Sequence, residues 1–126
     1  MFKNDKVNSI EFKKKFEFDK RKAEATRITT KFKGRIPVIV EAASSNDIGL
    51  ENTKYLCPGD LSCGQFSYVI RKRTKLKPEE AMFMFVNNTI PATSELMSCV
   101  YDEHKDEDGF LYILLSKESV FGCIAF

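Results

Sequence analysis

One apolar run, Ile36-Pro37-Val38-Ile39-Val40, constrains the fold more than any other stretch of this sequence. It is rich in β-branched residues and shows no alternation between apolar and polar positions. This pattern is typical of a strand that is buried on both faces, whereas a half-exposed strand would alternate. We therefore expect residues 36–40 to form a strand inside the folded domain.

Two further elements are predicted after this strand. Residues 54–57 form a short strand that ends at Pro58-Gly59, beyond a polar loop over residues 41–53. Ser62 and Gln65 have the spacing of a capping box, in which each side chain bonds the other residue's backbone N–H at the start of a helix. The apolar face of that helix carries Phe66, Val69 and Ile70.

The C-terminal part predicts two more strands around a short helix. The elements are, in order, a strand at Met82–Val86, a turn at Asn87-Asn88, a helix from Ser94 or Glu95 that buries Leu96 and Val100, a turn at 106–109 and an apolar strand at 110–115. The whole order is that of a ubiquitin-like β-grasp, although other small α+β folds share much of it. The β-grasp is an α+β fold with a four-stranded mixed sheet over a principal helix.

Two additional helices precede this domain, near residues 10–16 and 19–32. We therefore divide the chain into an N-terminal arm (1–9), a helical subdomain (10–34), a ubiquitin-like domain (35–116) and a C-terminal tail (117–126). Residues 1–35 carry 12 Lys or Arg against 5 Asp or Glu, whereas residues 36–126 carry 8 against 13. A basic surface can face an anionic membrane, acidic protein tails or nucleic acid. A solvated helix face is the simpler interpretation.

The sequence predicts a cytosolic protein without a metal or cofactor. Residues 1–6 carry charges where a signal peptide has an apolar stretch. The longest apolar runs are far shorter than the roughly 20 residues that span a bilayer. The cysteines lack the spacing of metal ligands, so we expect free thiols at Cys57, Cys63, Cys99 and Cys123.

No group of residues has the pattern of an active site, so we expect a protein that is not an enzyme. His104 follows Cys99 by five residues, which places the two on different faces of a short helix and does not favour a thiol–imidazole pair. The acidic residues between 102 and 108 lack the alternating ligands of a calcium-binding loop. We interpret them as a solvated turn.

The C-terminal tail allows two chemical interpretations. In the first, cleavage after Gly122 leaves a terminal glycine, which can enter a narrow catalytic channel because it has no side chain. In the second, Cys123-Ile124-Ala125-Phe126 is a C-a-a-X box for prenylation of Cys123. A frayed terminus without chemistry is the remaining alternative, and the motif alone does not decide among them.

Several blocks of the sequence, taken together, match one known family in order and almost without gaps. They are Arg35–Glu41, Lys54–Leu56, Pro58 with Asp60-Leu61, Gly64–Phe66, Ile70–Arg73, Phe85–Asn88, Asp106–Tyr112 and Glu118–Gly122. From about Asp19 to Gly122 the chain resembles the autophagy ubiquitin-like modifiers. That family includes the GABA-receptor-associated protein and the microtubule-associated protein light chain.

The resemblance implies two helices packed on a β-grasp, in a monomeric modifier that does not bind nucleic acid. It favours cleavage by a cysteine protease after Phe121-Gly122. Activating and conjugating enzymes would then transfer Gly122 to phosphatidylethanolamine, and a two-chain lipid would anchor the protein stably on the autophagosomal membrane. Cleavage removes Cys123, so maturation and prenylation exclude each other.

The resemblance also implies a groove that binds aromatic-x-x-aliphatic peptides of cargo receptors and adaptors by adding a strand at the edge formed by residues 54–57. The pocket for the aromatic residue would comprise Glu24, Ile28, Pro37, Ile39, Lys54, Leu56 and Phe110. The pocket for the aliphatic residue would comprise Tyr55, Cys57, Pro58, Leu61, Phe66 and Val69. Acidic residues that flank the motif would meet Arg35, Lys54, Arg71 and Arg73.

Some of these assignments have a simpler interpretation or depart from the family. Four of the assigned residues are apolar and would be core candidates in any such fold, so their presence alone does not indicate a pocket. They are Ile39, Phe66, Val69 and Phe110. Cys57 stands where relatives often have a branched aliphatic residue, so we expect a slightly roomier or more reactive second pocket. The alternatives to a conjugated modifier are an unconjugated peptide-binding module, a chain prenylated at Cys123, and an enzyme that uses Cys99 or Cys123.

Overall fold

The computed structural model describes residues 11–43 and 48–118, which form four helices and a four-stranded sheet. The helices are α1 (Glu11–Lys15), α2 (Phe18–Lys31), α3 (Cys63–Arg71) and α4 (Met97–His104), and the strands are β1 (Arg35–Ala42), β2 (Lys54–Pro58), β3 (Phe83–Phe85) and β4 (Leu111–Ser116). The strands lie in the order β2-β1-β4-β3. Strands β1 and β4 are parallel and the other two pairs are antiparallel. The predicted mixed sheet of a β-grasp is confirmed.

Strand β1 is buried on both faces, as its unbroken apolar run predicts. Every side chain from Ile36 to Val40 is buried. Because successive side chains of a strand point to opposite faces, Val38 packs into a core with α3 and α4, whereas Ile39 packs into a second core with α1 and α2. The sheet therefore carries a helical layer on each face. None of the helices in the described ranges is long and apolar enough to span a bilayer.

Helix α3 begins with the predicted capping box. Ser62 Oγ accepts a hydrogen bond from Gln65 N at 3.1 Å, and Gln65 Oε1 accepts one from Ser62 N at 2.9 Å. The buried stripe of the helix runs through Phe66 and Ile70, but Val69 is 41% exposed. Val69 therefore lies at the solvent edge of the apolar face that it shares with Phe66 and Ile70.

Two sequence predictions fail for local reasons. Met97 is fully buried at the start of α4, whereas Leu96, which was expected in the core, is 41% exposed. Leu96 is the N-cap in extended conformation and forms a bridge with Ser62, so its side chain points away from the helix face that enters the core. The loop over residues 41–53 is not polar throughout, because Ile48 is 1% exposed and belongs to the core. Residues 44–47 of that loop lie outside the described ranges.

Helices α1 and α2 cover the second face of the sheet. Phe12 of α1 and Ala25 of α2 are buried there against residues of β1, β3 and β4. Glu41 of β1 caps α1, because its two carboxylate oxygens accept the backbone N–H groups of Glu11 at 2.8 Å and Phe12 at 2.9 Å. These N–H groups have no partner within the helix, and a negative charge is favourable at this end of it.

A buried ion pair fixes α2 to the turn before β4. Arg21 Nη1 lies 2.6 Å from Asp108 Oδ2, and the side chains of Arg21 and Asp108 are 10% and 0% exposed. Asp108 Oδ1 accepts a hydrogen bond from Phe110 N at 2.8 Å, and the Tyr112 hydroxyl donates to Oδ2. Burial and the bond to Asp108 raise the pKa of the Tyr112 hydroxyl. The interpretation of this acidic segment as a solvated turn is therefore wrong for Asp108, whose oxygens are occupied inside the protein.

Replacing Asp108 with asparagine should destabilise the protein strongly. The variant preserves the side-chain shape but leaves Arg21 charged and uncompensated in a buried site. We expect the free energy of unfolding, measured by urea denaturation near neutral pH, to fall by about 3 kcal/mol. Asp102→Asn, at an exposed position of α4, is the matched control and should change it by less than about 0.5 kcal/mol. Equal stability of the two variants would contradict the role assigned to the ion pair.

Asp106 should give the protein part of its acid sensitivity. Burial alone would raise the pKa of this carboxyl group, but hydrogen bonds from Lys13 Nζ at 2.6 Å and Asp108 N at 3.1 Å outweigh burial and lower the pKa below its ordinary value. The stabilisation is therefore complete above the ordinary pKa and is lost as the pH falls through the lowered one. Between about pH 6 and about pH 2, the free energy of unfolding should fall more steeply for the unmodified protein than for Asp106→Asn. Parallel curves would refute this assignment.

Candidate peptide-binding groove

Strand β2 is an edge of the sheet. It pairs with β1 in the register Pro37↔Leu56 and Val38↔Tyr55, and among the described residues no other strand lies beside it. The backbone N–H and C=O groups on its outer side are therefore available to an added strand. The prediction that residues 54–57 form a sheet edge is confirmed.

A cavity of about 180 Å³ lies on the α2 side of this edge. Mostly apolar residues from α2 and its C-cap, from β1 and β2, and from the position before β4 surround it: Ile28, Phe32, Pro37, Val38, Lys54, Tyr55, Leu56 and Phe110. Five of the residues predicted for the aromatic pocket are among them, namely Ile28, Pro37, Lys54, Leu56 and Phe110. Of the other two, Ile39 is fully buried beneath the helices, and Glu24 lines a neighbouring cavity.

The pocket prediction from the sequence missed Phe32, which closes the cavity at the end of α2. Its side chain is 40% exposed, and its backbone N–H donates to the carbonyl of Ile28 at 2.8 Å. Ile28 and Phe32 are four residues apart and therefore share one face of the helix. This spacing is the sequence signal from which Phe32 could have been assigned to the pocket.

Charged side chains form the rim between the cavity and solvent. Lys54 Nζ lies 3.6 Å from Glu24 Oε2, and Arg27 Nη2 lies 3.2 Å from the same oxygen. The Lys54 side chain is 55% exposed, and its Nζ lies 5.6 Å from the centroid of the Phe12 ring. Such an exposed pair contributes little to stability. Lys54 can therefore exchange Glu24 for a carboxylate of a ligand at small cost.

The residues predicted for the aliphatic pocket lie on the α3 side of β2. Tyr55 and Phe66 pack edge to face with ring centroids 6.4 Å apart. Cys57 and Phe66 are buried members of the core, while Tyr55 and Leu61 are partly buried against it. Pro58 is half-buried and Val69 is exposed. Cys57 and Phe66 thus form the floor of this surface. The side chains that reach solvent are those of Tyr55, Pro58, Leu61 and Val69.

Cys57 is not the more reactive thiol that the sequence suggested. Burial raises its pKa to about 12, and its Sγ donates to the carbonyl oxygen of Pro58 at 3.2 Å. The thiolate is the nucleophilic form of cysteine, and it is scarcely populated at neutral pH when the pKa is this high. Cys57 therefore serves this face of the sheet as a small apolar side chain.

The basic residues predicted to flank the groove differ in their surroundings. Arg35 and Arg73 are exposed. Arg71 Nη2 instead donates to the backbone carbonyls of Lys77, Pro78 and Glu80, which fixes the loop after α3. The structure thus gives Arg71 a role in holding this loop, in addition to the one predicted from the sequence.

The remaining candidates for chemistry are not brought together. His104 Nδ1 lies 3.0 Å from Asn87 Nδ2, and its Nε2 lies 3.8 Å from Glu103 Oε1, while Cys99 is exposed. Within residues 11–43 and 48–118, no group of three His, Cys, Asp or Glu side chains could hold a metal ion. The predicted cleavage site Phe121-Gly122 and Cys123 lie outside the described residues. The edge of β2, with apolar surface on both of its faces, is therefore the candidate site.

Comparison with known proteins identifies relatives over most of the chain. The family model described as autophagy protein Atg8, ubiquitin-like, matches residues 20–122. Autophagy-related protein 8 of Vanderwaltozyma polyspora is 57% identical over 114 residues, which cover 90% of this chain and 97% of the relative. The protein of the same name from Saccharomyces cerevisiae is 57% identical over 112 residues, which cover 88% of this chain and 96% of that protein.

Solved structures of related proteins share the fold. The crystal structure of Trypanosoma brucei ATG8 matches with a TM-score of 0.83 at 39% identity and covers 91% of this chain and 100% of that one. Plasmodium falciparum Atg8, solved in complex with a Plasmodium falciparum Atg3 peptide, matches with a TM-score of 0.78 at 35% identity and covers 86% and 96%. The predicted likeness to the autophagy ubiquitin-like modifiers is confirmed.

Proposed function

This chain belongs to the Atg8 family of ubiquitin-like autophagy proteins, and on that premise we propose that it is a lipid-conjugated adaptor that captures peptides in the groove along β2. The observation that supports this function best is an open edge strand with apolar surface on both of its faces. The occupant is an extended segment of the form aromatic-x-x-aliphatic. Cargo receptors and adaptors of autophagy present such segments.

The spacing of that motif fits the geometry of the edge. In an extended strand, side chains three residues apart point to opposite faces. An aromatic side chain can therefore enter the cavity beside Ile28 and Leu56, while the aliphatic side chain three positions later reaches the surface of Leu61 and Val69. The backbone between them adds a strand to β2. Arg35, Lys54 and Arg73 supply positive charge for acidic residues near the motif.

The expected affinity is moderate. Two apolar anchors contribute about 1.5–3 kcal/mol each when buried, and each hydrogen bond of the added strand contributes about 1 kcal/mol net. Ordering of the extended peptide and loss of its translational freedom oppose these gains. A dissociation constant in the micromolar range, roughly −8 kcal/mol, follows.

The tail supplies the second part of the proposal. A cysteine protease cleaves after Gly122, and activating and conjugating enzymes then pass the glycine carboxyl group to the amine of phosphatidylethanolamine. The reacting atom of this protein is its own carboxyl carbon, so the catalytic residues belong to its partners and the chain itself is not an enzyme. It is cytoplasmic until conjugation places it on autophagosomal membranes. The relative from Plasmodium falciparum, solved with an Atg3 peptide, supports a partner peptide of this kind.

Substitutions at the β2 edge test the groove. Leu56→Ala removes part of the wall of the aromatic pocket, and Lys54→Glu reverses the charge at its rim. We expect each to weaken an acidic Trp-x-x-Leu peptide at least tenfold, about 1.4 kcal/mol, in titration calorimetry. Ile90→Ala, at a 49% exposed position beyond the opposite edge strand, is the control and should bind normally. Unchanged affinity in both groove variants would rule out this site.

Intact masses of the protein recovered from its own cells test the tail. We expect a soluble form that ends at Gly122 and a membrane form that is heavier by one phosphatidylethanolamine, whereas Gly122→Ala should be absent from membranes and still bind the peptide. A chain that retains Cys123 without a lipid would favour an unconjugated module. A prenyl group on Cys123 would replace conjugation as the anchor.

A further inference from the structure

The tail beyond β4 carries a sequence of the form that the groove is proposed to bind. Phe121 and Ile124 have the spacing aromatic-x-x-aliphatic, and the acidic residue Glu118 precedes them. Phe121 and Ile124 lie outside the described residues. The proposed cleavage after Gly122 would separate the two, because it leaves the aromatic residue on the protein and removes the aliphatic one.

Other segments with this spacing are built into the fold. The aliphatic members Val86, Ile113 and Leu115 are buried, and Val69 belongs to a helix. A segment that adds to β2 must be extended and must have both anchors free, so these segments are not available to the groove. They are Phe66–Val69, Phe83–Val86, Phe110–Ile113 and Tyr112–Leu115. The tail segment, in contrast, follows the last strand of the sheet.

The register of the sheet places the end of β4 far from the groove. Leu111 of β4 and Tyr55 of β2 are both level with Val38 of β1. Ser116, at the end of β4, is therefore about 16 Å further along the sheet than Tyr55. A strand added outside β2 lies three strand spacings from β4, about 14 Å to the side. The straight line from Ser116 to an aromatic anchor at the level of Tyr55 thus measures about 22 Å.

The tail is too short to bring its motif to the groove of the same chain. Phe121 follows Ser116 by five residues, which span at most about 18 Å when fully extended. The first of these residues bend back, because the backbone N–H of Glu118 donates to Ser116 Oγ at 3.0 Å. The groove that receives the motif must therefore belong to a second copy of the chain.

The chemistry of the tail fits both faces of β2. A protein cavity of roughly 150 Å³ holds a benzene molecule, so the cavity of about 180 Å³ on the α2 side accepts the ring of Phe121. In an extended segment, Ile124 points to the opposite face and meets the apolar surface on the α3 side. Glu118, which is exposed, brings a negative charge to the end of the groove where Lys54 lies.

Resting on the proposed groove, we propose that the uncleaved tail of one copy occupies the β2 groove of a second copy, with Phe121 in the aromatic pocket and Ile124 against the aliphatic surface. Each uncleaved copy carries one tail and one groove, so such chains associate head to tail as their concentration rises. Cleavage after Gly122 removes Ile124 and thereby one of the two anchors. The same cut therefore frees the groove for partner peptides and exposes the glycine carboxyl group for conjugation.

Titration calorimetry with a synthetic peptide of residues 116–126 tests the tail as an occupant. The receptor is the full-length Ile124→Asp chain under reducing conditions, because its own tail lacks the aliphatic anchor. We expect the peptide to bind, and to bind at least tenfold more weakly, about 1.4 kcal/mol, when it carries Ile124→Asp or ends at Gly122. Adding Leu56→Ala to the receptor should weaken binding by a similar factor. Adding Ile90→Ala, beyond the opposite edge strand, should leave it unchanged.

Sedimentation equilibrium of the uncleaved full-length protein tests the association itself. The weight-average mass should rise with concentration for the unmodified chain and stay at the monomer value for Ile124→Asp. Cys123→Ser is the matched control, because it changes the neighbouring residue and keeps both anchors, so it should associate like the unmodified chain. Association that disappears in Cys123→Ser would indicate a disulfide between tails and overturn the proposal.

An acidic Trp-x-x-Leu peptide distinguishes failure of this proposal from failure of the groove. If the Ile124→Asp chain binds that peptide but not the tail peptide, the groove stands and occupation by the tail is overturned. If it binds neither peptide, the groove fails and the proposal with it. If the unmodified chain stays monomeric yet binds the Trp-x-x-Leu peptide tenfold more weakly than Ile124→Asp does, the tail occupies its own groove and the second copy is ruled out.

Discussion

The buried ion pair between Arg21 and Asp108 holds the site together. Removing either partner would leave an uncompensated charge in a region from which water is excluded, which costs several kcal/mol. Separating α2 from the turn before β4 would therefore be unfavourable. α2 carries Ile28 and ends at its C-cap Phe32, and these two residues form one wall of the cavity beside β2. Arg21 also binds the carbonyl of Phe16 and so fixes the corner between α1 and α2. The shape of the groove therefore depends on a contact that lies behind it.

The two faces of β2 are built differently, with consequences for binding. On the α2 side, the helix stands away from the strand and leaves an open cavity. On the α3 side, Cys57 and Phe66 belong to the main core, so the surface there is a shallow floor edged by Tyr55, Leu61 and Val69. A bulky ring suits the first face and a smaller aliphatic side chain the second. In the proposed function, this asymmetry fixes the order of the two anchors and hence the direction of the peptide.

In the described part of the protein, burial holds two thiols and one tyrosine hydroxyl in their protonated forms. Burial raises the pKa values of the Cys57 and Cys63 thiols, and burial with the bond to Asp108 does the same for the Tyr112 hydroxyl. None of these groups is poised for nucleophilic or acid–base work near neutral pH. In the proposed function, peptide binding takes place at the exposed edge of β2, and the group that reacts is the carboxyl group of Gly122.

The sequence by itself determined those features that depend on neighbouring residues. The buried run of β1, the capping box at Ser62 and the order of the elements all follow from local pattern, and the family resemblance pointed to most of the residues that line the cavity. The tertiary structure decided what depends on distant partners. Asp108 is buried because Arg21, 87 positions away, neutralises it, and Glu41 caps α1 across 30 positions. The exposure of Val69 and Leu96 depended on how the helices rotate against the sheet. Local pattern cannot fix such contacts, because they arise only when the two helical layers close on opposite faces of β1.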